Sequence, residues 1–305
     1  MIFISEDCFV SPLPLQYKKA TFMNKILVPI DFSDTSINAL KLAAQLAVRA
    51  DAGLYLLHVN EMAPYVIPVS EYAYTASAAV DVEEYDKAAE SRMQNLKAEI
   101  LGEPRFSKLN IETEVREGLM IPVLRSINEE EGIDLIVMST LGASGWKEVF
   151  VGSNTERVIR HATCPVLVIP DGVHELKVRR VLVPSTLKPD QKIVFKTAKA
   201  WQDLLGFDVQ TLYINDPLNA PTLGSIEAEK NRLVEEASLK HVYLHIYGQT
   251  LNEEAAILAY AKEAEADLIV MGTHQRHGLS HLMFGSITED TANHAHIPVL
   301  AVPIG

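Results

Sequence analysis

Small and hydroxyl-bearing residues in the first half of the chain could bind a phosphate group. Residues 152–155 read Gly-Ser-Asn-Thr and are followed by Val158 and Ile159, which have the apolar spacing of a helix. A helix that begins at such a run presents backbone N–H groups and hydroxyls, and its dipole favours an anion. The run predicts a phosphate-binding helix start. The alternative is a capping box, in which Ser153 and Glu156 satisfy the N–H groups of the helix itself.

A carboxylate and a second run of small residues follow two predicted strands. Asp31 comes after the apolar run at 25–30, and the segment from Ser139 to Gly142 follows another apolar run. Ligands of doubly wound sheets bind at the carboxyl ends of the strands, where the strand order reverses. These loops are therefore candidates for a nucleotide-binding edge. The chain has no GxxxxGK[ST] or GxSxG run, so neither a Walker-type phosphate loop nor a nucleophile elbow is predicted.

The histidines and the second cysteine favour structural roles. His274, His277 and His281 have spacings that a metal can use, but no cysteine or carboxylate set completes a zinc pattern. A solvated polar loop and no metal site are therefore predicted. Cys164 precedes the final strand of the first half with no neighbour that would lower its pKa, which indicates a buried structural thiol. No catalytic residue is assigned.

An internal repeat supplies the elements that must position these residues. Residues 25–29 (KILVP) return at 180–184 (RVLVP), residues 134–138 (DLIVM) return unchanged at 267–271, and residues 165–168 (PVLV) return at 298–301 (PVLA). The shift is 155 residues from Lys25 to Arg180 but 133 residues from Asp134 to Asp267. The second copy is therefore shorter in its middle. The extra length is predicted at Glu61–Asp86, against Asp216–Lys230 in the second copy.

Each copy alternates short apolar runs with helical patterns, which predicts an α/β fold with a parallel sheet. The fold class is two tandem, doubly wound, five-stranded parallel-sheet domains of the Rossmann-like type. Strands of the first copy are predicted near 25–30, 54–59, 111–115, 134–139 and 165–169. Helices are predicted after caps at Ser33–Ser36, over Glu84–Ile100, and over Ile121–Glu131 before Gly132. The predicted boundaries are an extension at 1–23, domains at 24–170 and 179–305, and a linker at 171–178.

Composition limits the classes of partner and compartment. The 305 residues are 48% hydrophobic and carry a formal charge of -13, so neither a nucleic-acid surface nor an anionic membrane is an expected partner. The chain has only two cysteines, which is typical of a reducing compartment. It has no apolar run long enough for a membrane helix, and Met1–Phe22 does not resemble a signal peptide. These features predict a cytoplasmic protein. Met23 stands just before the first strand, so the extension is either a dispensable tail or a misassigned start.

These residues resemble the universal stress protein family in its tandem two-domain form. ATP-binding members carry an Asp after the first strand and the pattern G-x2-G-x9-G-[ST] after the fourth. The first half reads Ser139-x2-Gly142-x9-Gly152-Ser153 behind Asp31, so only the first glycine is changed. The resemblance covers residues 24–303 and implies an adenine-nucleotide fold that binds ATP, with Mg²⁺, as a stress-response regulator with little or no hydrolysis.

The resemblance also assigns positions in the first half to parts of the ATP. The adenine and ribose would lie against Asp31 and Val59. Pro29 and Ile30, which precede Asp31, are included in this part of the site. Ser139 and Gly142 would line the path to the phosphates, which would be held by Gly152, Ser153, Asn154 and Thr155. The side chain of Ser139 is expected to crowd a close backbone approach and to weaken binding.

The second half departs further from the family pattern. Thr186 stands where the first half has Asp31, and Gln275 replaces the second glycine, although Gly285 and Ser286 remain. One ATP per chain is therefore expected, in the first half. Because single-domain members pair through their last strands, 166–169 and 299–302 are expected to meet across an intrachain pseudo-twofold axis. The sequence leaves open whether the chain binds a protein partner or forms a homodimer. It also leaves two alternative functions open, a structural stress protein that no longer binds nucleotide and a nucleotide hydrolase or transferase of the same superfamily.

Overall fold

The computed structural model describes residues 23–61, 77–140, 153–215, 221–248, 250, 252–274 and 287–304. Residues 1–22 of the predicted N-terminal extension lie outside these residues, whereas Met23 is described and buried. Among the residues that are described, none forms a helix long and apolar enough to cross a membrane.

The described part of the first half has five strands and four helices in alternation. In chain order they are β1 (Lys25–Pro29), α1 (Asp34–Ala50), β2 (Gly53–Asn60), α2 (Ser77–Gly102), β3 (Ile111–Glu117), α3 (Met120–Glu131), β4 (Leu135–Ser139), α4 (Ser153–His161) and β5 (Val166–Ile169). All five predicted strands are confirmed. The cap predicted within Ser33–Ser36 is Ser33, and Gly132 ends α3 in the left-handed conformation. The helix predicted from Glu84 begins earlier, at Ser77.

The second half repeats this order with a shorter middle. Its elements are β6 (Arg180–Pro184), α5 (Lys192–Leu205), β7 (Asp208–Ile214), α6 (Leu223–Ala237), β8 (Val242–Tyr247), α7 (Glu253–Glu263), β9 (Leu268–His274), α8 (Ile287–His294) and β10 (Val299–Ile304). Helix α2 has 26 residues and its counterpart α6 has 15, so part of the extra length of the first half lies in this helix.

All ten strands join in one sheet, in the order β3-β2-β1-β4-β5-β10-β9-β6-β7-β8. Within each half the strands are parallel, as the crossover helices require. The halves meet where β5 and β10 pair antiparallel, with Leu167 opposite Leu300. The predicted meeting of the two final strands inside one chain is therefore confirmed, and the sheet has a pseudo-twofold axis between them.

Helices cover both faces of the sheet, and each face has a continuous apolar core. One core lies under α1, α2, α5 and α6 and contains Leu40 and Phe195; we refer to it as the α1 face. The other lies under α3, α4, α7 and α8 and contains Ile127 and Val158; we refer to it as the α4 face. Alternation along each strand assigns neighbouring side chains to opposite faces.

The repeated aspartates fix the start of each half. The Asp134 carboxylate accepts hydrogen bonds from the backbone N–H groups of Asn24 and Lys25, at 2.7 and 3.2 Å. The Asp267 carboxylate accepts the equivalent pair from Arg179 and Arg180, at 2.8 and 2.9 Å. Each aspartate thus satisfies donors that would otherwise lack a partner at the amino end of a central strand.

Candidate functional site

A crevice opens at the carboxyl ends of β1 and β4. These strands pair only at Ile26 with Leu135 and at Leu27 with Ile136, although both strands continue beyond that point. The strand order also reverses here, because β2 follows β1 on one side while β4 leads to β5 on the other. A doubly wound sheet binds its ligand at such a position.

The loop after β1 brings Asp31 to this edge. Asp31 is exposed, whereas Ile30 before it is buried. The Ser33 backbone N–H and hydroxyl both donate to Asp31 Oδ1, at 3.0 and 2.5 Å. The same hydroxyl accepts from the Ser36 N–H at 3.1 Å as the N-cap of α1. The carboxylate is therefore held in place by the helix start that follows it.

Helix α4 approaches the same edge from the α4 face. The Thr155 hydroxyl donates to the Ser139 carbonyl oxygen at 2.9 Å, which joins the first turn of α4 to the end of β4. Val59 and Met138 are buried in the core that also contains Val158 of this helix. Thr155, Ser139 and Val59 are thus brought to one end of the sheet.

The rest of the predicted phosphate loop lies largely outside the described residues. Gly142 and Gly152 are not described, and Ser153 is described only through its backbone in α4. Asn154 is in the first turn of that helix. Glu156 Oε1 accepts from the Asn293 amide of α8 at 3.1 Å, so this oxygen contacts the second half of the chain. The phosphate-binding loop and the capping box both stay predictions.

The side chain of Ser139 lies on the face of the sheet opposite to α4. Alternation along β4 puts Met138 on the α4 face and the Ser139 side chain on the α1 face, away from the start of α4. Its equivalent is Gly272 at the end of β9, where an added Cβ would lie 2.9 Å from Ile304 Cδ1 and 3.0 Å from Val194 Cγ2. The glycine there serves packing against β10 and α5. The role of Ser139 beside the phosphates stays a prediction.

The equivalent edge of the second half is built differently. Thr186 follows β6 in place of a carboxylate, and Lys188 precedes a single 3-10 turn at Pro189–Gln191 without a side-chain cap. His274 Nε2 lies 3.1 Å from Asp190 Oδ2, which links the end of β9 to that turn. The link therefore lies at the end of the second half's sheet, where the first half has Asp31.

The predicted metal loop and thiol can be placed in part. His274 contacts Asp190 as described, while His277 and His281 lie outside the described residues. Within the described ranges, no cluster of three or more His, Cys, Asp or Glu side chains is arranged to hold a metal ion. Cys164 is buried, and burial raises its pKa to about 12, so the prediction of a buried thiol is confirmed.

Sequence reasoning missed one residue beside the candidate site. His58 lies near the end of β2, where its Nδ1 is 2.7 Å from the Ile30 carbonyl oxygen and its ring contacts Phe32. The available signal was a single imidazole in an otherwise apolar strand pattern, which does not reveal a partner 28 positions earlier in the chain.

The fold and the crevice define a class: tandem nucleotide-fold domains joined in a single sheet. The chain belongs to the universal stress protein family, whose family model matches residues 23–170 and again 177–303. A universal stress protein of Mycolicibacterium smegmatis is 26% identical over 289 residues, covering 91% of this chain and 96% of that protein. One from Methanocaldococcus jannaschii is 34% identical over 145 residues, covering 48% of this chain and 81% of that protein.

A solved structure extends the likeness to the whole fold. The crystal structure of a universal stress protein from Archaeoglobus fulgidus superposes with a TM-score of 0.67 at 20% identity, covering 94% of this chain and 98% of that one. At this identity the comparison establishes the tandem fold alone.

Proposed function

We propose that this universal stress protein is a cytoplasmic regulatory module that binds one ATP in its first half and hydrolyses it slowly or not at all. The observation that carries the proposal is the difference between the two halves. The central strands diverge at this edge in both halves. Only the first half presents a carboxylate there, Asp31, whereas the second half has Thr186 and a link between His274 and Asp190. The carboxylate thus favours the first half as the nucleotide-binding one.

The residues present fit an adenine nucleotide. Asp31 offers a carboxylate for the ribose hydroxyls, and Val59 offers an apolar surface. The first turn of α4 offers N–H groups and a helix dipole to the phosphates. The proposed contacts comprise Pro29, Ile30, Asp31, Val59, Ser139, Gly142, Gly152, Ser153, Asn154 and Thr155. Mg²⁺ would arrive with the nucleotide, held mainly by phosphate oxygens, as is usual for this ion.

A regulatory role is favoured over catalysis by the chemistry at the edge. Hydrolysis requires a group that activates water and another that stabilises the leaving phosphate. The bonds from Ser33 to Asp31 Oδ1 and from the Thr155 hydroxyl to the Ser139 carbonyl oxygen position these side chains for binding and assign neither of them to proton transfer. Bound ATP would then alter the surface that a partner protein meets instead of driving turnover.

The test is ATP binding by isothermal titration with matched variants in the two halves. Asp31→Ala should weaken binding by about 10- to 100-fold, because a hydrogen bond to a charged group contributes about 1.5–3 kcal/mol. Thr186→Ala removes the equivalent side chain of the second half and should leave affinity unchanged. Equal affinities for the two variants, or a stoichiometry of two, would contradict the assignment.

Two other functions give different results in simple measurements. A stress protein that no longer binds nucleotide would release none when freshly purified protein is denatured and its small molecules are measured by mass spectrometry. A hydrolase or transferase of the same superfamily would show multiple turnovers of ATP, and Asp31→Ala would abolish them. The proposed module should release or bind ATP without sustained turnover.

A further inference from the structure

His58 is a buried histidine at the carboxyl end of β2. Its side chain is 7% exposed, and its Nδ1 lies 2.7 Å from the carbonyl oxygen of Ile30, the residue just before Asp31. A carbonyl oxygen can only accept, so Nδ1 must carry the proton. Among the residues that the structure describes, the buried Nε2 has no hydrogen-bond partner. The geometry thus assigns the hydrogen of this contact to Nδ1.

The same imidazole contacts the residue after Asp31. Phe32 has a φ of 63°, a left-handed conformation that costs a bulky residue free energy unless its surroundings hold it. The His58 ring lies 4.7 Å from the Phe32 ring, centroid to centroid. The Arg92 guanidinium of α2 lies 3.8 Å from the Phe32 centroid. Both residues that flank Asp31 are therefore held from the α1 face, through a hydrogen bond on one side and ring contacts on the other.

The second half provides an internal comparison. The register pairs Pro29 with Leu57 and Pro184 with Leu212, so Tyr213 occupies the position of His58. Leu187, the counterpart of Phe32, has a similar φ of 56°. There the Leu187 N–H is instead bound by the Ser185 hydroxyl at 3.0 Å, a local contact within the turn. The first half therefore has both the Asp31 carboxylate and the His58 imidazole, and the second half has Thr186 and Tyr213 at these positions.

We propose that His58 is a positioning residue for the nucleotide site: its Nδ1–H bond to Ile30 and its contact with Phe32 fix the turn that presents Asp31. This inference rests on the proposed ATP site, since it assigns a role within that site. His58 lies on the α1 face, opposite to α4, and acts through the turn that it contacts. Its contribution to affinity comes from preorganising the carboxylate, so that binding does not have to order the turn.

The variants separate the hydrogen bond from the ring contact. His58→Leu keeps an apolar side chain against Phe32 but leaves the Ile30 carbonyl without its donor, so ATP affinity should fall about tenfold. His58→Asn places an amide nitrogen three bonds from Cα, as Nδ1 is, and should restore affinity to within about threefold of the unmodified protein. Tyr213→Leu, at the matched position of the second half, should leave affinity unchanged. Thermal unfolding of each variant shows that it is folded.

Two measurements do not depend on the nucleotide. The ¹⁵N resonances of the His58 ring should show a protonated Nδ1 that is hydrogen-bonded. The Ser33 amide, bound to Asp31 Oδ1, should exchange with solvent faster in His58→Leu than in Tyr213→Leu. If the unmodified protein binds no ATP, the proposed function fails while these two readouts still decide the role of His58.

The outcomes that overturn the proposal are distinct. An Nε2–H tautomer in the folded protein would remove the bond to Ile30. Unchanged Ser33 exchange in His58→Leu would show that the turn does not depend on the imidazole. If the unmodified protein binds ATP and His58→Leu binds it equally well, the turn is ordered without the imidazole.

Discussion

Ser139 and Gly272 show how packing at one residue decides which types of side chain a position accepts. They end equivalent stretches of β4 and β9, and alternation points both toward the α1 face. In the second half β10 runs on to Ile304, whose side chain fills the space that a Cβ at Gly272 would need. In the first half β5 stops at Ile169. The first half can thus hold a side chain at position 139, whereas the second half has no room for one at position 272.

This difference predicts opposite sensitivities at the two positions. Gly272→Ser should destabilise the protein by about 1–3 kcal/mol, the usual effect of adding atoms to a packed core. Ser139→Gly should leave ATP affinity within about twofold, since its side chain faces away from α4. Urea unfolding and ATP titration measure the two effects. A stronger affinity in Ser139→Gly would show that the serine does crowd the nucleotide.

At the scale of elements, the ends of α5 and α6 show how the chain leaves a helix. Both end in the left-handed conformation, α5 at Gly206 with a φ of 71° and α6 at Ser238 with a φ of 57°. Glycine adopts this conformation without the steric cost that a Cβ brings. Ser238 is exposed, so its side chain adds little packing in return.

Exchanging the residue types at these two ends should change stability in opposite directions. Ser238→Gly should raise the free energy of unfolding by about 0.5–1 kcal/mol, because it removes the Cβ at a positive φ. Gly206→Ala should lower it by about 1 kcal/mol; no neighbouring atom would clash with the new Cβ, so the effect isolates the backbone. Chemical denaturation of both variants is the measurement. Equal changes of the same sign would contradict this account.

The strands and α1 could be predicted from the sequence because their signals are local. Apolar runs mark buried parallel strands, and Ser33 stands directly before the helical pattern that it caps. The bond between His58 and Ile30 could not be predicted, because it depends on the register of β1 against β2. The start of α2 was missed, since the pattern before Glu84 lacks a clear apolar face. For the site, spacing predicts contacts by Asp31 and the start of α4, which stay predictions, and it does not reveal the face on which Ser139 lies.

At the scale of the whole molecule, the halves are held together by more than β5 and β10. Across the pseudo-twofold axis Arg160 of α4 binds Glu289 of α8 through two contacts, at 3.2 and 2.5 Å. The equivalent pair is Asn293 and Glu156, at 3.1 Å, so the second copy has an amide where the first has a guanidinium. Glu289 is 4% exposed, so its pairing with the Arg160 guanidinium offsets part of the cost of burying a carboxylate.

This asymmetry predicts unequal roles for two symmetry-related contacts. Arg160→Ala leaves a buried carboxylate without its cation and should destabilise the chain by about 1–3 kcal/mol, less than for a fully buried pair because Arg160 is 43% exposed. Asn293→Ala removes only a neutral donor and should cost about 0.5–1.5 kcal/mol. Urea unfolding of the full chain measures both.

Adding Glu289→Gln to Arg160→Ala should recover part of the loss of stability, since the uncompensated charge is then gone. If the double variant is no more stable than Arg160→Ala, the loss comes from packing of the arginine stem, and the ion pair does not hold the two halves together.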